Sequence, residues 1–153
     1  MSKEKQHVKI IGTVEILLKD RKGKIIRRIV KKNLVTDVGI QYIVKALANQ
    51  VTLAAFQYIA IGSGTTAPSG SDTALENELF RKAGTITIET TNISGDTLRV
   101  EATFTFDANY SISESGLFNA SSGGTMLARQ TFSAIDVTPA YELTIVWKIV
   151  VSR

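Results

Sequence analysis

The stretch from Leu98 to Phe106 constrains the fold more than any other, because Leu98, Val100, Ala102, Phe104 and Phe106 alternate with Arg99, Glu101, Thr103 and Thr105. A period of two sends the apolar set to one face of a strand and the polar set to the other, a segregation no helix can make from this order. Thr85 to Thr91 has the same character, and Asn92 to Asp96 supplies turn chemistry between the two, so the spacing predicts an antiparallel hairpin. A sheet with one apolar face must bury it against another layer, and the rest of the chain supplies candidates for that layer.

Val8 to Leu18 and Ile25 to Lys31 read as strands joined by a turn at Asp20 to Gly23, with Gly12 marking a bulge or bend. Phe56 to Ile61 alternates and ends at Gly62-Ser63-Gly64. Ile112 to Phe118 is a strand broken by Gly116, and Ser121 to Gly124 turns the chain into Thr125 to Phe132. In the last strand, Tyr141 to Val151, the residues Leu143, Ile145, Trp147, Ile149 and Val151 share a face, and Val146 and Val150 lie on the other. That strand is expected either to be buried on both sides or to sit at an interface, with Trp147 in the core.

Two helices are expected among these strands. Thr36 or Asp37 caps the first, whose Ile40, Ile43, Val44 and Leu47 recur at helical spacing and are expected to cover one side of a sheet, ending at Asn49 and Gln50. Thr73 and Glu76 have capping-box spacing, which predicts a short helix from Ala74 to Leu79 with Leu75 and Leu79 inward. The chain therefore reads as mostly β: a β-sandwich-like domain of about eight strands with one amphipathic helix and one short helix, spanning residues 7–153 after a flexible N-terminus at 1–6.

The residue inventory narrows the chemistry. There is no cysteine, which removes disulfides and thiolate chemistry, and His7 is the single histidine, so neither a Ser/His/Asp constellation nor a paired-histidine metal site can be assembled. Gly62-Ser63-Gly64 invites a phosphate-cradle reading, but Ala67 stands where a third glycine belongs and no Gly-Lys-Ser/Thr follows. Asp107, Asn109 and Ser111 begin a calcium-loop spacing that fails at Ile112 and Phe118. No catalytic residue, metal or cofactor is predicted. Carboxylates in the β region, Glu89, Glu101, Asp107 and Glu114, leave a carboxylate-pair glycosidase as the residual enzymatic reading. Glu114 and Arg81 could meet as a partly buried pair pinning the Phe56–Arg81 unit to the sheet, or could be two separate exposed charges. Tyr110 and Tyr141, near loop ends, are the candidates for stacking on sugar rings.

Charge is distributed unevenly. Residues 1–33 hold eleven Lys/Arg against three Asp/Glu, and residues 34–153 hold seven against eleven, so a segment near +8 precedes a remainder near −4. Arg21, Lys22, Arg27, Arg28, Lys31 and Lys32 on the first hairpin are the candidates for a protein contact, the acidic remainder of a second copy being one complement. A nucleic-acid backbone is the weaker reading of the same charges, and a solvated, charge-protected edge is the plain one. No apolar run has the length of a membrane span or a secretion signal, so no membrane insertion is expected.

FQYIAIGSGTTAPSGSDTALENELFR at 56–81, NLVTDVGIQYI at 33–43 and ISESGLFNASSGGTMLAR at 112–129 together resemble a family of small tail-associated and other virion structural proteins of double-stranded DNA bacteriophages and prophages. The resemblance runs from about Gly12 to the C-terminus and rests on Gly, Thr and Leu positions. It implies a non-enzymatic protein, made in the host cytoplasm and located in the virion, that works as a homo-oligomer with other virion proteins, as a tail component or a decoration of the particle. A receptor- or carbohydrate-binding module of the same particle is the alternative it leaves, and a polysaccharide-degrading enzyme is the last.

Overall fold

The computed structural model describes residues 6–153, so the expectation of a flexible start lies, for residues 1–5, outside the described residues. The strands are β1 (Lys9–Asp20), β2 (Ile25–Lys32), β3 (Leu34–Val35), β4 (Tyr58–Gly62), β5 (Glu78–Ala83), β6 (Thr85–Glu89), β7 (Thr97–Thr105), β8 (Tyr110–Phe118), β9 (Met126–Val137) and β10 (Tyr141–Ser152), with one helix, α1 (Asp37–Leu47). They form two five-stranded antiparallel sheets, ordered β2-β1-β10-β7-β6 and β3-β9-β8-β4-β5. The mostly-β sandwich expected from the alternation is what the chain adopts, with more strands than the sequence suggested.

The β6–β7 hairpin pairs Thr85 with Glu101 and Ile88 with Leu98, and Val100, Ala102, Phe104 and Phe106 are buried between the sheets. β10 lies between β1 and β7 within its sheet; Leu143, Ile145, Trp147 and Ile149 fill the core between the sheets, and Val146 is buried on the opposite face. Val151, expected inward with them, is half exposed, lying beyond Val150, where the β10–β7 pairing ends. Trp147 is fully buried and its Nε1 donates to Ser115 Oγ at 3.1 Å, while that hydroxyl donates to the Ala60 carbonyl at 2.9 Å. The indole N–H is thereby satisfied across the sandwich, as burial demands.

Four expectations are corrected. β8 runs unbroken through Gly116, and its pairing with β9 shifts register on either side of it, between Ile112 and Glu114 and between Leu117 and Phe118; Gly116 is small because Leu75 packs on it, and a Cβ there would lie 2.9 Å from Leu75 Cδ2. Gly12 marks a close approach to the Asn33 side chain, since the β1–β10 register passes it without a shift. No helix forms at Ala74–Leu79: the chain stays a loop and enters β5 at Glu78, with Leu75 buried as expected and Leu79 exposed.

The fourth correction concerns α1. Thr36 caps it, accepting from Gly39 N at 3.0 Å and donating to the Met126 carbonyl on β9. Gly39 sits against Leu127, where a Cβ would fall 2.9 Å from Leu127 Cα. That approach turns Gly39 and Ile43 toward the sheet, so Ile40, Val44 and Leu47, roughly 80° to 140° around the helix from Gly39, face outward and are exposed.

Candidate functional site

The densest polar site lies on the outer face of the second sheet, beneath the loop joining β4 to β5. Glu114 on β8 and Arg129 on β9 stand side by side there because Glu114 pairs with Thr131 and Gly116 with Arg129 in the β8–β9 register. The Glu114 carboxylate is fully buried and receives five donors. Oε1 accepts from Gly64 N (3.0 Å) and Asn77 N (2.7 Å), and Oε2 from Glu76 N (3.0 Å) and from Arg129 Nε and Nη2 (3.1 and 2.9 Å). Arg129, itself buried, also donates from Nη1 to Asp72 Oδ2 (2.9 Å) and from Nη2 to the Thr66 carbonyl (3.1 Å).

The loop completes the circuit. Glu76 Oε2 accepts from Thr65 N (3.1 Å) and Thr66 N (2.8 Å), so the Thr66 N–H first, and the other donors with it, holds the Glu76 carboxyl below the usual range. Ser69 N donates to Asp72 (2.8 Å), and Ser113 Oγ donates to the Gly64 carbonyl (2.7 Å). Three carboxylates and one guanidinium would carry excess negative charge; backbone N–H groups of residues 64, 65, 66, 69, 76 and 77 neutralise it by hydrogen bonding. The same bonds explain the missing helix, since the N–H groups of Glu76 and Asn77 are committed to Glu114 and Glu76 caps the 65–66 turn instead of a helix.

Gly62 and Gly64 thus form a cradle, and its occupant is the chain's own carboxylate. A Cβ on Gly64 would lie 2.5 Å from Glu114 Oε1, and one on Gly62 would collide with the Asn77 carbonyl while lying 2.7 Å from Oε1. Glu114 is fully buried and both its oxygens are committed to donors of the loop and of Arg129. It is a clasp that fixes the loop to the sheet.

Arg81 does not meet Glu114. Its Nη2 pairs with Glu78 (2.6 Å), its Nη1 donates to the carbonyls of Ala120 (3.0 Å) and Gly123 (2.8 Å), and its guanidinium lies 3.7 Å from the centre of the Phe118 ring. It pins the 119–124 turn, while Arg129 takes the role beside Glu114. The sequence reading passed over Arg129, although an arginine directly following Met126-Leu127-Ala128 on a strand is the kind of residue that needs a buried partner.

Tyr110 donates to Asp107 Oδ1 (2.9 Å), which raises its phenol pKa, and packs edge-on against Phe80 with Phe106 beside it. Tyr141 is half-buried against the core. Among the described residues no three His, Cys, Asp or Glu side chains converge to hold a metal ion, and no helix is long and apolar enough to cross a membrane.

No family model, curated protein or solved structure matches the chain.

What the surface offers instead is apolar. Leu47 and Leu53 are 85% and 75% exposed, and with Tyr42, Ile43, Ala46 and Phe56 they line a groove of about 520 Å³ between α1 and the 53–56 segment. Ile40 and Val44 extend that surface along the helix. The basic hairpin also exposes Ile25, Ile26 and Val30. The six cations singled out as contact candidates differ in what they touch. Arg27 and Lys31 reach over the sandwich edge to the carbonyls of Ala134 (3.4 Å) and Thr131 (2.9 Å) on β9. Arg21 donates to the Pro139 carbonyl (2.9 and 2.6 Å) with Glu142 at 3.8 Å, and Arg28 pairs with Glu15 at 2.7 Å. Lys22 and Lys32 are exposed and have no ion-pair partner among the described residues.

Proposed function

We propose that this protein is a non-enzymatic structural protein of a double-stranded DNA bacteriophage particle, acting by self-assembly as a tail component or decoration. The observation that carries this reading is the continuous apolar surface of Ile40, Val44, Leu47 and Leu53. A chain that spends its buried polar groups on fixing a loop, and turns four large aliphatic side chains to solvent on one helix and its following strap, is built to be covered by protein. The Glu114 carboxylate is spent on fixing a loop, the Tyr110 ring packs against Phe80 and Phe106, and Glu89 and Glu101 are both paired with Arg99, which favours a structural reading over a catalytic one; the resemblance of segments 33–43, 56–81 and 112–129 to phage virion proteins supplies the setting. The basic hairpin contributes to the contact chiefly through Lys22 and Lys32, because Arg21, Arg27, Arg28 and Lys31 already brace their own subunit; complementary charge there sets register and encounter rate more than affinity.

The test is the mass of the purified protein by light scattering across a salt series, with negative-stain images of the same samples. A defined oligomer whose mass is insensitive to salt supports assembly through apolar contact. A monomer at every concentration reached contradicts it, and tight duplex DNA binding that falls steeply with salt would assign the hairpin to nucleic acid instead.

A further inference from the structure

The two sheets present four edge strands, and three are protected against pairing with another chain. β2 carries Arg27, Arg28, Lys31 and Lys32, β3 has two residues, and β5 carries Glu78, Arg81 and Lys82. β6, the other edge of the first sheet, reads Thr85-Ile86-Thr87-Ile88-Glu89, with no proline, no lysine or arginine and no register shift against β7. All but Glu89 are exposed, Ile88 at 63%, although Ile86 and Ile88 are opposite Val100 and Leu98 and so lie on the core-side face. An unprotected edge of β-branched residues is a template for a further strand.

We propose that β6 pairs antiparallel with β6 of a second copy, about a two-fold axis through Thr87, joining two five-stranded sheets into one of ten strands. This names one self-contact within the assembly proposed above and rests on that reading. The sequence of β6 is self-complementary about Thr87. On the core-side face Ile86 of each copy falls opposite Ile88 of the other, closing the apolar layer that each subunit leaves open at this edge. On the outer face Thr87 meets Thr87, and Thr85 meets Glu89 of the partner copy. The two Glu89 carboxylates are four residues apart along the seam, roughly 13 Å, and each is already held by Arg99 (3.4 Å) and Lys148 (3.1 Å) of its own subunit. No like charges face each other. The equivalent pairing of β2 with itself would set arginines and lysines against one another, and the charges on β2 therefore exclude the competing homotypic edge.

The cysteine-free chain gives a direct test. At a two-fold axis within an antiparallel pair the two Thr87 Cα atoms would be about 4.5 to 5.5 Å apart, within disulfide range in either hydrogen-bonding phase. Thr87→Cys is expected to form a disulfide-linked dimer on mild oxidation on the order of a hundredfold faster than Ser122→Cys, an exposed site in the 119–124 turn, because pairing raises the local thiol concentration. Thr87→Lys, at an exposed outward position, is expected to keep the native melting transition and lose the contact, halving the mass of any species built on it. Equal crosslinking rates for the two cysteine variants would overturn the seam, as would an unchanged mass for Thr87→Lys. If those results came with an oligomeric wild type, assembly would stand without this seam. Rapid Thr87→Cys crosslinking with no species larger than a dimer would keep the seam and count against a particle-building role.

Discussion

The loop at residues 63–77 and helix α1 lie on the same sheet and solve opposite problems. The loop is rich in Gly, Ser and Thr and looks like a surface connection, yet it is held down by a buried carboxylate and guanidinium and by Leu75 on Gly116. The helix has the apolar stripe that normally drives docking, yet it meets β9 through Gly39 and Ile43 and turns Ile40, Val44 and Leu47 to solvent. Polar chemistry is spent inward to fix a conformation, and apolar surface is kept outward. The contrast separates a region that fixes the fold from one whose apolar side chains the fold leaves uncovered.

The comparison breaks most visibly at Glu114. Replacing it with Ala leaves Arg129 buried beside Asp72 without its main partner and strands the N–H groups of Gly64, Glu76 and Asn77, so a loss of about 3 to 5 kcal/mol is expected in denaturant unfolding. Proteolysis within 63–77 should accelerate in parallel. If Glu114→Ala unfolds like the wild type, the clasp has no energetic role. Gly64→Ala tests the cradle more gently: its Cβ would press on Glu114 Oε1, and about 1 to 3 kcal/mol is expected from the forced displacement. A stability change near zero would mean the loop can shift freely.

How much of this was legible in the sequence follows from what each element depends on. The β6–β7 hairpin, the Thr36 cap and the inward Trp147 depend on neighbours in sequence or on strict alternation, and those are the elements that local reasoning places correctly. The false helix at 74–79 had a genuine capping pattern in Thr73 and Glu76; Glu76 was drawn to Thr65 and Thr66 by a loop closure that no local rule contains. Arg129 stayed invisible for the same reason, since its partners Asp72 and Glu114 are set by the β8–β9 register and by a loop that crosses from another hairpin. The α1 stripe was read correctly as apolar and wrongly as covered, because Gly39, not the stripe, decides which side approaches Leu127.

A smaller effect separates the clasped loop from a second pinned turn. Asp96 accepts from the backbone N–H groups of Ile93, Thr91 and Asn92 and from the Thr97 hydroxyl, which holds its carboxyl far below the usual range. Its folded pKa is depressed, so the stabilisation is complete above the unfolded value of about 3.9 and is lost as pH falls below it. Glu76 acts in the same sense. Melting temperature is expected to fall more steeply below about pH 4 for the wild type than for Asp96→Asn; identical profiles would show that the 90–97 turn contributes nothing to acid stability.

The outward surface of α1 has the smallest effect on the isolated fold and the largest on assembly, and sedimentation velocity of the wild type beside a Leu47→Asp/Leu53→Asp variant measures both at once. Because both side chains are exposed, the variant should match the wild type in stability to within about 0.5 kcal/mol. The wild type is expected to sediment as an oligomer larger than a dimer, and the variant as a smaller folded species no larger than the pair joined through β6. An oligomer of unchanged size in the variant, or a wild type that is itself monomeric, would contradict the claim that this surface is kept apolar for a partner copy.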